Sequence, residues 1–159
     1  MRKEHKATSS TIQNRANGMI RRIFSNDEVQ GVSLELTTFC NLKCRLCAHN
    51  YMSAKKLLKH DTKDFAFWQS VLDKYVNLQM VAIAGILSEP TLYKDLFKLL
   101  DYLKSRKIKI ELYTNGNTHD EQWWKELSCH LDENDIVVFT VCGSTQELHA
   151  KYRVGSDLN

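Results

Sequence analysis

Val32-Ser33-Leu34-Glu35-Leu36-Thr37-Thr38-Phe39-Cys40-Asn41-Leu42-Lys43-Cys44-Arg45-Leu46-Cys47 joins an apolar, strand-like run to a loop that holds three of the chain's five cysteines. Three thiolates on so short a loop are expected to converge on one centre, and a soft ligand set of this kind selects iron–sulfur clusters or zinc. A cubane cluster normally takes four cysteines, so a three-cysteine loop leaves one iron open to an exogenous ligand. The competing reading is a structural zinc site that adds His49 to Cys40, Cys44 and Cys47. Such sites usually draw on two separated ligand pairs, and the sequence shows no second pair.

Working outward, the first strand is predicted from about Val32 to Thr37, delivering the cysteine loop at its C-terminal end. Tyr51 to His60 reads as a basic connector. Asp61-Thr62 read as caps of a helix whose apolar face is Phe65, Trp68, Val71, Leu72 and Tyr75. Met80-Val81-Ala82-Ile83-Ala84 is apolar enough for a parallel strand covered on both faces. Pro90 suits the first turn of a second helix striped by Leu92, Leu96, Leu99 and Leu103. Ile108 to Tyr113 alternates as a third strand and is stopped by Asn115-Gly116. Thr118 with Glu121, and Ser144 with Glu147, read as capping boxes opening two further helices, with the strand Ile136 to Val141 between them.

Four strand-to-helix units in succession predict an α/β fold with a parallel sheet and right-handed crossovers. The last three strands start near residues 80, 108 and 135, which are 28 and 27 residues apart. That repeat suits a partial TIM-like barrel with its chemistry at the C-terminal strand ends. An open flavodoxin-like sheet is the rival, but the glycine-rich phosphate loop it needs after the first strand is replaced here by cysteines. Residues 1–30 are polar and read as an N-terminal extension with one short helix around Met19-Ile20 and Ile23-Phe24; residues 31–159 form the core.

With 159 residues, 43% hydrophobic and 26% charged, the composition is that of one ordinary globular domain. A net charge of +3 is modest, and its local basic runs read as solvated faces before they read as a nucleic-acid surface. The basic start runs into polar residues, not an apolar signal core. The longest apolar run, Met80 to Leu87, falls well short of the roughly 20 residues of a membrane helix. An odd cysteine count argues against a disulfide framework. A cytoplasmic protein with no membrane partner is expected.

The C-x3-C-x2-C spacing after a strand resembles the signature of the radical S-adenosylmethionine (radical SAM) enzymes, and the resemblance extends from about Ser33 to Asp157. It implies that Cys40, Cys44 and Cys47 bind a [4Fe–4S] cluster whose open iron is chelated by SAM. Electron transfer from a donor into the sulfonium then yields a 5′-deoxyadenosyl radical that abstracts hydrogen from a substrate. Gly85 to Leu92 resembles the family's Gly-Gly-Glu-Pro segment, with Glu89 and Pro90 matching while Leu87 and Ser88 replace the glycines. Tyr113 to Asn117 resembles its Thr-Asn-Gly turn. Thr140 to Ser144 and Lys151 to Gly155 resemble the Ser-x-Asp-Gly and Tyr-Arg-x-Gly segments of peptide- and small-molecule-modifying members, with Cys142 in place of the aspartate. The resemblance therefore implies SAM contacts at Leu46, Ser88, Glu89, Asn115, Thr140 and Arg153, and it leans toward a peptide substrate.

Family barrels usually have six such units, and two more at this spacing would add on the order of 55 residues. The sequence thus leads us to expect the N-terminal part of a longer or split enzyme, completed by a C-terminal half or a second subunit. A non-catalytic binding module, stabilised by a cluster or by zinc, is the alternative.

Overall fold

The computed structural model describes residues 26–158, so the helix expected near residues 19–24 lies outside the described residues. Four strands, β1 (Gly31–Leu34), β2 (Met80–Ile83), β3 (Lys109–Thr114) and β4 (Ile136–Phe139), form one sheet in the order β1-β2-β3-β4. Every pairing is parallel, with Leu34 beside Ile83, Ile83 beside Leu112 and Thr114 beside Phe139. An unbroken sequential order is what a curling barrel requires. A flavodoxin-like sheet would reverse direction at its first strand, so the strand order decides between the two topologies.

Helices α1 (Ala48–Ala54), α2 (Phe65–Leu72), α3 (Leu96–Ser105), α4 (Glu121–Cys129) and α5 (Gln146–Tyr152) connect or follow the strands. The core lies between one face of the sheet and α2 to α4. Val81, Ile83, Ile110 and Leu112 point from the strands into Leu72, Leu99, Leu100 and Leu103. The opposite face is mixed and less buried: on β3 Lys109 pairs with Glu111 at 3.3 Å and Tyr113 Oη donates to Glu111 at 3.2 Å, while Ile136 and Val138 of β4 share the same face. β2 therefore alternates, with Met80 and Ala82 half-exposed on that inner face, and is not covered on both sides as its apolar run suggested.

The caps shift. α2 starts at Phe65, capped by Asp64, whose carboxylate accepts from Phe67 N at 2.9 Å. Asp61 and Thr62 instead reach the first strand's extension, where Thr37 and Thr62 form an isolated bridge and Asp61 N donates to Thr38 Oγ1 at 2.7 Å. Asp120 and Thr145, not Thr118 and Ser144, cap α4 and α5. Pro90 opens a separate 3-10 turn, Pro90–Leu92, before α3, so Leu92 leaves the buried stripe. α1 occupies part of the stretch read as a connector.

Candidate active site

The C-terminal ends of β2, β3 and β4, with the cysteine loop that follows β1, open onto one cavity of about 310 Å³, within the range of small-molecule sites. Its wall carries Cys40, Cys44 and Cys47 together with Ser88, Glu89, Asn115, Thr140 and Arg153. Of the residues expected to contact SAM or the cluster, Leu46 stands apart: it is 85% exposed and outside the cavity.

Four sets of hydrogen bonds fix the cysteine loop. Phe39 O accepts from Glu89 N at 2.8 Å. Asn41 Oδ1 accepts from Asn115 Nδ2 at 2.9 Å, and Asn41 Nδ2 donates to Asn117 O at 2.8 Å. Lys43 N and Arg45 N donate to Val154 O and Tyr152 O, both at 3.0 Å. The first strand's extension is held by Thr38 N on Asp61 O at 3.0 Å. Sequence elements more than 70 residues apart are thereby clamped around the loop.

Glu89, on the cavity wall, also braces the site. It is 2% exposed, and its carboxylate accepts from Thr91 N (3.2 Å), Thr91 Oγ1 (2.8 Å), Thr114 Oγ1 (2.6 Å) and Asn115 N (2.8 Å). Three of these donors meet Oε1 and one, Asn115 N, meets Oε2. The side chain thus locks the 3-10 turn to the end of β3, and its neighbours face the cavity because it does so. Ser88 Oγ and Leu87 N donate to Glu35 Oε1 at 3.2 and 2.5 Å, so the glycine-poor loop is held from behind by a residue of the first strand's extension. Gly85 keeps the turn tight: a Cβ there would lie 2.5 Å from the Ser88 carbonyl oxygen.

Glu35, Asn41, Thr91, Thr114 and Tyr152 were not picked out from the sequence. Asn41, directly after Cys40, carried a positional signal, and Thr114 and Tyr152 lay inside quoted motifs without being assigned a role; Glu35 carried none, because its partners Leu87 and Ser88 are remote in the chain. Burial pushes the Cys40 thiol up. Burial also raises Cys44, against the pull of the nearby Arg153 guanidinium. These thiols are protonated at neutral pH until a metal displaces the proton.

Among the described residues, no three His, Cys, Asp or Glu side chains stand close enough to ligate a single ion. The three cysteines line one cavity. A tetrahedral zinc nest needs its ligands gathered on one ion, whereas a cubane takes each thiolate on a different iron and asks for wider spacing. His49 is buried on α1 with Nε2 unpartnered and does not line the cavity. The donor set fits the cluster.

A sequential parallel half-barrel with three cysteines at its C-terminal mouth defines a class, and comparison with known proteins agrees. The model of the Radical SAM superfamily matches residues 34–157, and the chain belongs to that superfamily, whose members are enzymes. One relative is the tungsten-containing aldehyde ferredoxin oxidoreductase cofactor-modifying protein of Pyrococcus furiosus, 28% identical over 98 residues, covering 60% of this chain and 26% of the relative. Another is the Fe-coproporphyrin III synthase of Methanosarcina barkeri, 29% identical over 104 residues, covering 65% and 25%. The chain thus spans about a quarter of the length of these relatives. In fold it is similar to Streptococcus suis SuiB bound to precursor peptide SuiA, with a TM-score of 0.63 and 20% identity, covering 96% of this chain and 34% of SuiB.

Proposed function

We propose that this chain is the cofactor-binding part of a radical SAM enzyme, with a core beginning near residue 31, and that Cys40, Cys44 and Cys47 hold a [4Fe–4S] cluster. The observation that carries this reading is the shared cavity: the three cysteines line it together with Ser88, Asn115, Thr140 and Arg153. When bound, cluster and SAM supply one-electron reduction of a sulfonium and a 5′-deoxyadenosyl radical for hydrogen abstraction.

The protein's own contribution is positional. Asn115 and Asn41 hold the cysteine loop to β3. Glu89 fixes the segment on which Ser88 stands and, through Asn115 N, the turn beyond β3. Arg153 brings a planar cation suited to a carboxylate. Ser88 and Thr140 add hydroxyls to the same wall. A peptide is the substrate class we infer, from the Thr140–Gly143 and Tyr152–Gly155 segments, and an external one-electron donor completes the reaction. Such a cluster works in a reducing compartment, which supports the cytoplasm; among the described residues no helix is long and apolar enough to cross a membrane.

Anaerobic reconstitution tests the reading. About four irons and four sulfides per chain are expected, with an electron paramagnetic resonance signal altered by SAM. Serine at Cys40, Cys44 or Cys47 should abolish iron retention, while C129S, at an exposed position of α4, should keep it. Stoichiometric zinc with no iron uptake would overturn the proposal.

A further inference from the structure

Arg153 sits where the chain's last described segment crosses the cysteine loop. Because Lys43 N bonds Val154 O and Arg45 N bonds Tyr152 O, residue 153 faces Cys44 across the pairing. Two protein groups hold its guanidinium. Nη2 donates to Thr140 Oγ1 at 2.6 Å, and Nε donates to Cys142 Sγ at 3.1 Å. Thr140 spends its own proton on Thr114 O at 2.9 Å, so its oxygen is left as an acceptor for Arg153.

Cys142 is itself fixed. Its N–H donates at 3.2 Å to Nδ1 of His149, a residue only 1% exposed. Gly143 lets this turn lie against α5, since a Cβ there would come within 2.7 Å of the Leu148 carbonyl carbon. Backbone and sulfur are therefore anchored together. Two fixed acceptors on adjacent nitrogens define the plane of a guanidinium, and the Nη1 edge has no protein partner among the described residues.

We propose that Cys142 is a positioning residue, its sulfur acting as an acceptor that orients Arg153 toward the carboxylate of SAM. This rests on the proposed function. It assigns work to a cysteine that is neither a cluster ligand nor part of the cavity wall. Sulfur is a weak acceptor, so the contribution is one of alignment: a guanidinium free to swing meets a carboxylate through one bond where a held one offers two.

The test is anaerobic calorimetric titration of the cluster-reconstituted full chain with SAM and, separately, with decarboxylated SAM. C142A should bind SAM about fivefold more weakly and bind the decarboxylated analogue as the unsubstituted chain does. C142S, which restores an acceptor, should recover most of the loss, with iron content unchanged in both variants. Affinity of C142A for SAM within about twofold of the unsubstituted chain, or an equal loss for both ligands, overturns the inference. R153A separates the two layers. If R153A weakens SAM binding and C142A does not, only the role of Cys142 fails; if R153A also leaves SAM affinity intact, or the unsubstituted chain binds no SAM, the ligand role of Arg153 fails and this inference falls with it.

Discussion

Glu89 takes a carboxylate out of water and surrounds it with four donors from Thr91, Thr114 and Asn115. In E89Q an amide NH2 would face one of those donors. We expect a cost of about 2–3 kcal/mol and a melting midpoint about 4–12 °C lower, read by circular dichroism; a change below about 2 °C would contradict the locking role. Tyr93 is the opposite case. The residue is 2% exposed and its hydroxyl has no partner among the described residues, and burial, with Asp95 and Asp64 nearby, pushes the phenol up to about 12. Removing the orphaned hydroxyl in Y93F should leave stability unchanged or raise it by about 1 kcal/mol. A loss above about 1 kcal/mol in urea unfolding would show that the hydroxyl is satisfied. Neither environment could be read from residue identity, because both depend on groups from other elements.

Between elements, Asp135 ties three together. Its Oδ1 accepts from Ile110 N at the start of β3 (2.7 Å), while Oδ2 accepts from Asp132 N (2.9 Å) and pairs with Lys104 on α3 (2.9 Å). The carboxylate is 1% exposed, so D135A should cost about 3 kcal/mol in denaturant unfolding; a loss under about 1 kcal/mol would count against the tie. Burial alone would pull Lys104 down, yet the hydrogen bonds to Asp132 and Asp135 outweigh it and raise it above 10.5. A raised lysine stabilises below its unfolded value and loses that contribution as pH rises through the folded one. Stability should therefore fall above about pH 10.5, less so in K104M. Equal alkaline decline in both chains would refute this.

The misplaced caps have the same kind of cause. Asp61-Thr62 and Asp64, Thr118 and Asp120, and Ser144 and Thr145 each offer rival caps within three residues. The losing candidates at the first two sites had tertiary partners: Thr62 meets Thr37, and Thr118 Oγ1 meets Thr91 Oγ1 at 2.6 Å. Nothing in the structure explains why Thr145 prevails over Ser144.

At the scale of the molecule, β4 has β3 on one side and no strand on the other among the described residues. Ile136 and Phe139 on it are 43% and 53% exposed. An unpaired apolar edge promotes pairing between chains, so residues 1–159 in isolation should associate with rising concentration. I136K should reduce that association in sedimentation velocity, and a concentration-independent monomer would contradict the expectation.

The sequence by itself determined the alternation of strands and helices, the parallel sense of the sheet and the three-cysteine loop. These are local matters: hydrophobic period, crossover length and ligand spacing are written in contiguous residues. Only the tertiary structure decided that the strands run in unbroken order, that Glu89 is anchored by Thr91, Thr114 and Asn115, that Glu35 and Asn41 brace the site, and that Leu46 faces solvent. Each of these depends on which distant donors and acceptors the fold brings within about 3 Å of one another, and no window of sequence contains both partners.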